Sequence, residues 1–410
     1  AGAWCGQNKY LSAIKNAFQN FMPLTIAGAI GVLWCNVLVN DQTGLGLFFK
    51  PIMALDFLNP AFQAVNFCTI SCITVGITLG IAQEIGVWNM GAERAGYIPG
   101  LVGLAAWLSV TNTSHMVEGA KEAFTGIAGN ELGATGLFTG MIIGVLSVEL
   151  FCFFEKQDAL KIKMPEQVPP GVARAFEVLV PATITLIITA CIGSACYNLT
   201  GLYLNDVIKN GIQGPLGAVG ATIPGVMIIY LVIMLFWLVG IHGNNMLSAV
   251  KEALFTPLAL ENVEKFNKGE KPTNIINMYA LQMWGEFGGS GVTIGLVIAI
   301  MIFGKREDNK AIATLSLVPG LFNINETVTF GVPMVLNPIL GIPFVVAPLI
   351  TIIIGYVLTV IGFCPVACLT VPWTTPPIVF GFLATGANVM GAVTQAILIV
   401  VSTVIYVPFL

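Results

Sequence analysis

Charge is what this sequence has least of. Only 9% of its 410 residues are Asp, Glu, Lys or Arg, against about 25% in ordinary soluble domains. No soluble fold of this size could cover its surface with so few. The formal net charge of −4 is too small to argue for nucleic acid or another polyionic partner. Histidine occurs twice, and no HExxH or comparable ligand spacing is present, so no metal and no cofactor are expected. There is no GxxxxGK[ST] loop, which excludes ATP binding in the Walker manner. A TVGYG filter and an arginine-rich voltage sensor are missing as well. No CxxC pair occurs among the nine cysteines. Most lie inside apolar runs and read as small hydrophobes on helix faces rather than as bridges or ligands. A secretory signal with a charged start and a cleavage site is also lacking, and the chain opens at Ala1, so native residues are expected to precede it.

Apolar residues fill the space that charge leaves. At 56% hydrophobic, the composition is that of an integral membrane protein. Runs long enough to cross a bilayer as helices lie near 22–40, 62–82, 97–113, 134–154, 177–200, 222–241, 344–364 and 387–410. Two more, 275–304 and 312–341, are apolar but interrupted by Gly, Pro and polar residues. The stretch "NKYLSAIKNAFQNF" (8–21) has helical apolar spacing with Lys9 and Lys15 opposite, which predicts an amphipathic helix on the membrane surface. The expected fold is all-α and polytopic.

Basic residues orient the chain. With the N-terminus cytoplasmic, Lys9, Lys15, Arg94, Lys156, Lys161, Lys163, Arg174, Lys251, Lys265, Lys268 and Lys271 fall inside, and only Lys50, Lys121 and Lys209 fall outside. Lys305, Arg306 and Lys310 then fall on the wrong side if 275–304 crosses once. That stretch is expected to dip in and return, broken at "WGEFGGSG" (284–291), unless an earlier segment is the re-entrant one. Irregular backbone at membrane depth survives only where protein or a wet cavity satisfies its polar groups, so broken segments point to a substrate site. The hydrophilic connector 154–177, with "MPEQVPPGV", reads as a cytoplasmic linker (155–176). It separates an N-terminal bundle (1–154, joined by the span 177–200) from a C-terminal half, 201–410, that contains both broken segments.

Few residues could carry chemistry. His115 lies in a polar outer loop and reads as solvated. His242, in "GIHGNNML", is flanked by glycines and followed by Asn244 and Asn245, a mixture suited to a pocket wall or to a helix cap at the interface. Glu326 is the sharper case. A charged carboxylate at mid-membrane costs roughly 2.5–3.5 kcal/mol on insertion scales, and no Lys or Arg follows Lys310 to pair with it. A cavity, a proton or a hydrogen-bonding ligand would have to account for it. Asn323 and Asn325 beside it suit a hydroxyl-rich substrate better than an ion. Trp237, Trp284 and Trp373 each adjoin a polar or Gly/Pro-rich break. An indole suits a pyranose face, and it suits the membrane interface equally. On these residues alone, a proton-coupled sugar or metabolite symporter using Glu326 and His242 as a relay is a serious reading.

The motifs "GIHGNN" (240–245), "FGGSG" (287–291) and "NINETVTFGVPMVLNP" (323–338) resemble the membrane-spanning IIC component of bacterial phosphotransferase-system sugar transporters, within the lactose/cellobiose class and nearest to diacetylchitobiose-type transporters. To the runs above, which predict about ten transmembrane helices, the resemblance adds two re-entrant hairpins in a C-terminal sugar-binding domain and a homodimer formed through the five N-terminal helices. It further implies a disaccharide taken up across the bacterial cell membrane and phosphorylated by a soluble IIB subunit from a phosphocysteine. Glu326 and His242 fall on the family's motif glutamate and histidine, beside the hydroxyl that receives phosphate. Asn323, Asn325, Asn244, Asn245, Trp237, Trp284 and Trp373 are then candidate sugar contacts. One departure is Thr327, where relatives usually have proline.

Overall fold

A computed structural model describes residues 8–41, 45–47, 49–115, 124–165, 167–215, 220–332, 334 and 336–410. Lys121, expected in an outer loop, lies outside the described residues. Among the described residues the regular elements are helices, apart from a two-stranded ribbon, β1 (Ser114–His115) antiparallel to β2 (Phe124–Thr125). His115 sits in that ribbon, its ring 5.7 Å from the ring of Phe124.

The first helix, α1 (Lys9–Leu33), runs without interruption through the stretch expected to form a separate surface helix and into the first apolar run. Pro23 lies inside it. A single proline removes one hydrogen bond and bends a helix, and no glycine or capping residue stands beside this one to end it.

The chain divides into two compact units. One comprises Ala3–Leu24 and Thr69–Leu216. Besides the first part of α1 and some short helices, it holds α2 (Ile73–Met90), α3 (Ile98–Val110), α4 (Ala134–Glu155) and α5 (Pro170–Thr200). Small residues let the backbones approach, the usual device where lipid replaces water. A Cβ on Gly103 would lie 2.3 Å from that of Ala82, so only glycine fits there. Ile77, Ile81, Trp107, Leu137 and Phe151 fill the space between them. The connector joining α4 to α5 is held at its ends by charge. Arg94 and Arg174 both bond Glu155 Oε1 at 2.9 Å, and Arg174 also bonds Glu177 at 2.8 Å.

The other unit comprises Thr25–Cys68 and Gly217–Leu410. It contains α6 (Ile223–Leu238), α7 (Gly243–Asn267), α8 (Met278–Gly285), α9 (Ile294–Phe303), α10 (Glu307–Leu321), α11 (Glu326–Gly331), α12 (Pro338–Val360), α13 (Val379–Ala384) and α14 (Val389–Tyr406). Both interrupted segments are broken where glycine and polar residues cluster. The first is α8, a turn at 286–293, then α9; Gly288, Gly289 and Gly291 all take positive φ in that turn. The second is α10, a break at 322–325, then α11. Thr327 is the second residue of α11. An amide there has no partner inside its own helix, so proline and threonine are both admissible and the departure from the family pattern leaves the helix start intact.

A third irregular stretch has no counterpart in the sequence reading. Between α12 and α13, Cys364, Ala367, Cys368, Leu369 and Val371 are buried without being helical. Their polar groups are answered from afar. The amides of Cys368 and Leu369 donate to the Ala384 carbonyl at 2.7 and 3.1 Å. The Ala367 carbonyl accepts from Asn262 and Asn277.

Among the described residues, five helices are long and apolar enough to cross a membrane: Lys9–Leu38, Ala134–Glu155, Pro170–Thr200, Pro338–Val360 and Val389–Phe409. The helices Ile98–Val110, Ile223–Leu238 and Ile294–Phe303 are apolar but shorter than the runs that encode them. Helix α6 stops at Leu238 because Gly240, at φ 79°, turns the chain back.

Candidate functional site

The turn after α6 builds the first wall. A Cβ on Gly243 would lie 1.9 Å from the Ile233 carbonyl oxygen, so glycine is required to seat the start of α7 against α6. His242 caps α7: its Nδ1 accepts from the Asn245 amide at 3.2 Å. An imidazole nitrogen that accepts is unprotonated, which puts the proton of the neutral ring on Nε2. The ring rests on Trp237, centroids 4.4 Å apart. Its free edge faces Glu326, with Nε2 at 3.8 Å from Oε1.

The second wall is made where the two broken segments meet. The Gly288 amide donates to Asn323 Oδ1 at 2.6 Å. Asn325 Nδ2 donates to the Ser290 carbonyl at 2.9 Å and to Thr329 Oγ1 at 3.2 Å. Asn323 Nδ2 donates onward to the carbonyls of Trp373 and Thr375. Gly289 lies under this contact: a Cβ there would come within 2.7 Å of Asn325, at a φ of 89° that side chains rarely adopt. "FGGSG" and "NINE" are therefore the two halves of one contact.

Beneath them lies a buried ion pair. Lys251 and Glu286 are in direct contact. Tyr230 donates its hydroxyl to Glu286 Oε1 at 2.6 Å, and Lys251 donates to Asn244 Oδ1 at 3.1 Å. Asn244 Nδ2 in turn reaches Ser290 Oγ at 2.9 Å. Lys251, counted among the cytoplasmic charges, is thus a buried residue of the cavity wall. Its ammonium is answered by a carboxylate, which is what a buried charge requires. The sequence carried a signal for this: Glu286 interrupts an apolar run just as Glu326 does.

Together these elements enclose a cavity of about 360 Å³, lined among others by His242, Asn244, Asn245, Asn323, Asn325, Glu326 and Trp373. Glu326 lies in it with about half its side chain exposed (49%). The open cavity answers how a carboxylate survives in this apolar half, since its charge faces space that water or a ligand can fill. Trp237 and Trp284 are placed elsewhere. Trp237 is 2% exposed, behind the imidazole it supports, and Trp284 is 1% exposed, packed on Gly355 of α12. Residues at the cavity that the sequence reading did not single out include Lys251, Gln282, Glu286, Ser290, Phe380 and Gln395.

Chemically the walls offer one exposed carboxylate, one imidazole N–H, amides, hydroxyls and aromatic faces. This inventory suits a neutral polyhydroxylated ligand. Among the described residues, no group of three or more His, Cys, Asp or Glu side chains could hold a metal ion.

Residues 15–348 match the protein-family model described as "Phosphotransferase system, EIIC". The chain is 33% identical over 408 residues to the oligo-beta-mannoside-specific EIIC component of Bacillus subtilis (strain 168), with 98% of this chain and 89% of the relative covered. It is 30% identical over 463 residues to the cellobiose-specific EIIC component of Lactococcus lactis subsp. lactis (strain IL1403), covering 98% and 94%. In three dimensions it is similar to the crystal structure of the transporter ChbC, the IIC component from the N,N'-diacetylchitobiose-specific phosphotransferase system. That match has a TM-score of 0.90 at 29% identity and covers 99% of this chain and 94% of that one.

Proposed function

Since this chain belongs to the phosphotransferase-system EIIC family and so transports a sugar across the bacterial plasma membrane coupled to its phosphorylation, we propose that its cavity binds a disaccharide of the cellobiose or N,N'-diacetylchitobiose type and that Glu326 and His242 act on the hydroxyl that receives phosphate. One observation carries the reading: Nε2 of His242 and Oε1 of Glu326 stand 3.8 Å apart, both open to the cavity. That separation is too long for a good hydrogen bond between them, but a hydroxyl oxygen could sit about 2.8 Å from each. It would accept from Nε2–H and donate to the carboxylate.

Phosphoryl transfer then follows. The sugar oxygen forms a bond to phosphorus as the sulfur–phosphorus bond of the IIB phosphocysteine breaks. The thiolate leaves with the bonding electrons, and the hydroxyl proton passes to Glu326. The imidazole N–H faces the same oxygen and can stabilise the anionic phosphoryl oxygens as they approach. Because the cysteine belongs to the IIB partner, none of this chain's cysteines takes part. Asn245 and the face of Trp373 contact the sugar, while Asn244, Asn323 and Asn325 hold the walls in place. The resemblance further supports a homodimer formed through the N-terminal bundle (1–154 with the span 177–200) and a sugar-binding part within 201–410, and the distribution of basic residues supports a cytoplasmic N-terminus.

The test is uptake of radiolabelled cellobiose and diacetylchitobiose into vesicles containing the purified chain, with and without phosphorylated IIB. Phosphorylated disaccharide inside only when IIB is present is the expected product. Unmodified sugar concentrated by a proton gradient would overturn the roles given to Glu326 and His242.

A further inference from the structure

The carboxamides lining the cavity are not equivalent. Gln395 is fully engaged: its Oε1 accepts from the Ile378 and Gly381 amides at 2.7 Å each, and its Nε2 donates to the Met283 carbonyl at 3.2 Å. Asn323 and Asn325 tie the two broken segments together, and Asn244 is held between Lys251 and Ser290. Gln282 differs. It lines the same cavity, its Oε1 is buried, and among the described residues that oxygen has no hydrogen-bond partner. The large majority of buried side-chain polar atoms are satisfied. Among the described residues, Gln282 is thus the one carboxamide of this wall that no protein group holds in place, and its Nε2, which is not among the buried unpaired atoms, is the end open to the cavity.

Position adds to this. Gln282 is on α8, one helical turn before Glu286, whose Oε1 already accepts from both Tyr230 and Lys251. The wall that Gln282 belongs to therefore has its charge neutralised internally. What it presents to a ligand is a neutral amide with two N–H donors, its acceptor oxygen turning out only if the side chain rotates. Proton transfer is not open to such a group. Paired hydrogen bonding to a hydroxyl or acetamido edge is.

We propose that Gln282 is a sugar-recognition residue, its carboxamide hydrogen-bonding a polar group of the disaccharide other than the hydroxyl that is phosphorylated. The assignment rests on the disaccharide reading of the cavity. It separates recognition, on α8, from chemistry, at the His242–Glu326 pair.

The experiment uses the full chain purified in detergent. Binding of cellobiose and of diacetylchitobiose is measured by calorimetry, and phosphorylation kinetics with phosphorylated IIB, for the natural chain and for Gln282→Met, which keeps side-chain volume. The expected result is a dissociation constant and a KM raised about tenfold or more for at least one of the sugars, with kcat within about twofold. An unchanged KM, or a fall in kcat alone, would overturn the assignment. Should the Met variant fail to fold, Gln282→Asn, which keeps the amide one methylene short, decides it by the same KM-against-kcat split. A natural chain that binds no disaccharide would remove the reading beneath the assignment and the assignment with it. Natural binding alongside an unaffected variant would remove only Gln282.

Discussion

His242 and Glu326 come from different elements, the cap of α7 and the first residue of α11, yet Nε2 of one faces Oε1 of the other at 3.8 Å across an open cavity. Each is held from behind. The imidazole lies on Trp237 and has its Nδ1 occupied by the Asn245 amide. The carboxylate rides on a short helix whose start is tied through Asn325 to Ser290. Such support holds both side chains oriented toward the cavity, as the proposed roles require.

Replacing Glu326 by Gln keeps shape and hydrogen-bonding capacity but removes the proposed base. Phosphorylated sugar formed with IIB is expected to fall by about 10²-fold or more, the usual contribution of a general base, with weaker sugar binding. The unfolding temperature in detergent should stay close to that of the natural chain, because the side chain is half exposed. Normal phosphorylation by this variant would remove Glu326 from the chemistry.

For His242→Gln, phosphorylation is expected to fall more than sugar affinity does. In the proposed mechanism the imidazole N–H meets the oxygen and phosphoryl group that change charge during transfer, and interactions made mainly in the transition state appear in kcat. Equal losses in kcat and affinity, from parallel calorimetry and kinetics, would make His242 a plain sugar contact.

The Lys251–Glu286 pair should behave as a buried unit. Lys251→Met alone leaves the carboxylate uncompensated and is expected to destabilise the chain by about 3–5 kcal/mol. Combining it with Glu286→Gln should recover most of that, since the amide still accepts from Tyr230. Chemical unfolding of both single variants and the double variant measures the coupling. Additive losses would mean that the two side chains do not act together.

Gly289→Ala tests the contact between the broken segments. The added methyl would meet Asn325 at 2.7 Å with φ at 89°, a backbone state costing an L-residue about 1–2 kcal/mol. Because the tip carrying Glu326 must move, a loss of at least about tenfold in phosphorylation rate is expected. Activity at the natural level would show that the tip tolerates displacement.

Much of the fold was legible because the signals are local. Both broken segments could be found by the glycines and polar residues that interrupt apolar runs, and the structure breaks the helices there. Local signals also misled. The stretch 8–21 has the amphipathic pattern of a separate surface helix, but Pro23 bends a helix without ending it, and α1 continues. The segment "CPVACLTVPWTTPP" (364–377) looks like an ordinary connector. Its burial depends on Ala384, Asn262 and Asn277, which are distant in sequence.

The site divides in the same way. A carboxylate in an apolar, cation-free stretch is conspicuous by its desolvation cost, so Glu326 stood out. Glu286 carries the same signal, and its partner Lys251 was hidden among basic residues expected in cytoplasm. Adjacency to a break could not tell which way an indole points: Trp373 lines the cavity, whereas Trp237 and Trp284 pack into the core.

By itself, the sequence determined the solvent, the helical class and the places where helices must break. Those follow from composition, from spacing and from backbone allowances of single residues. Tertiary structure decided which breaks touch, which carboxylate finds a lysine and which amide is left facing the cavity. Those outcomes depend on side chains meeting from separate helices, within a few ångströms, and no local pattern encodes such a meeting.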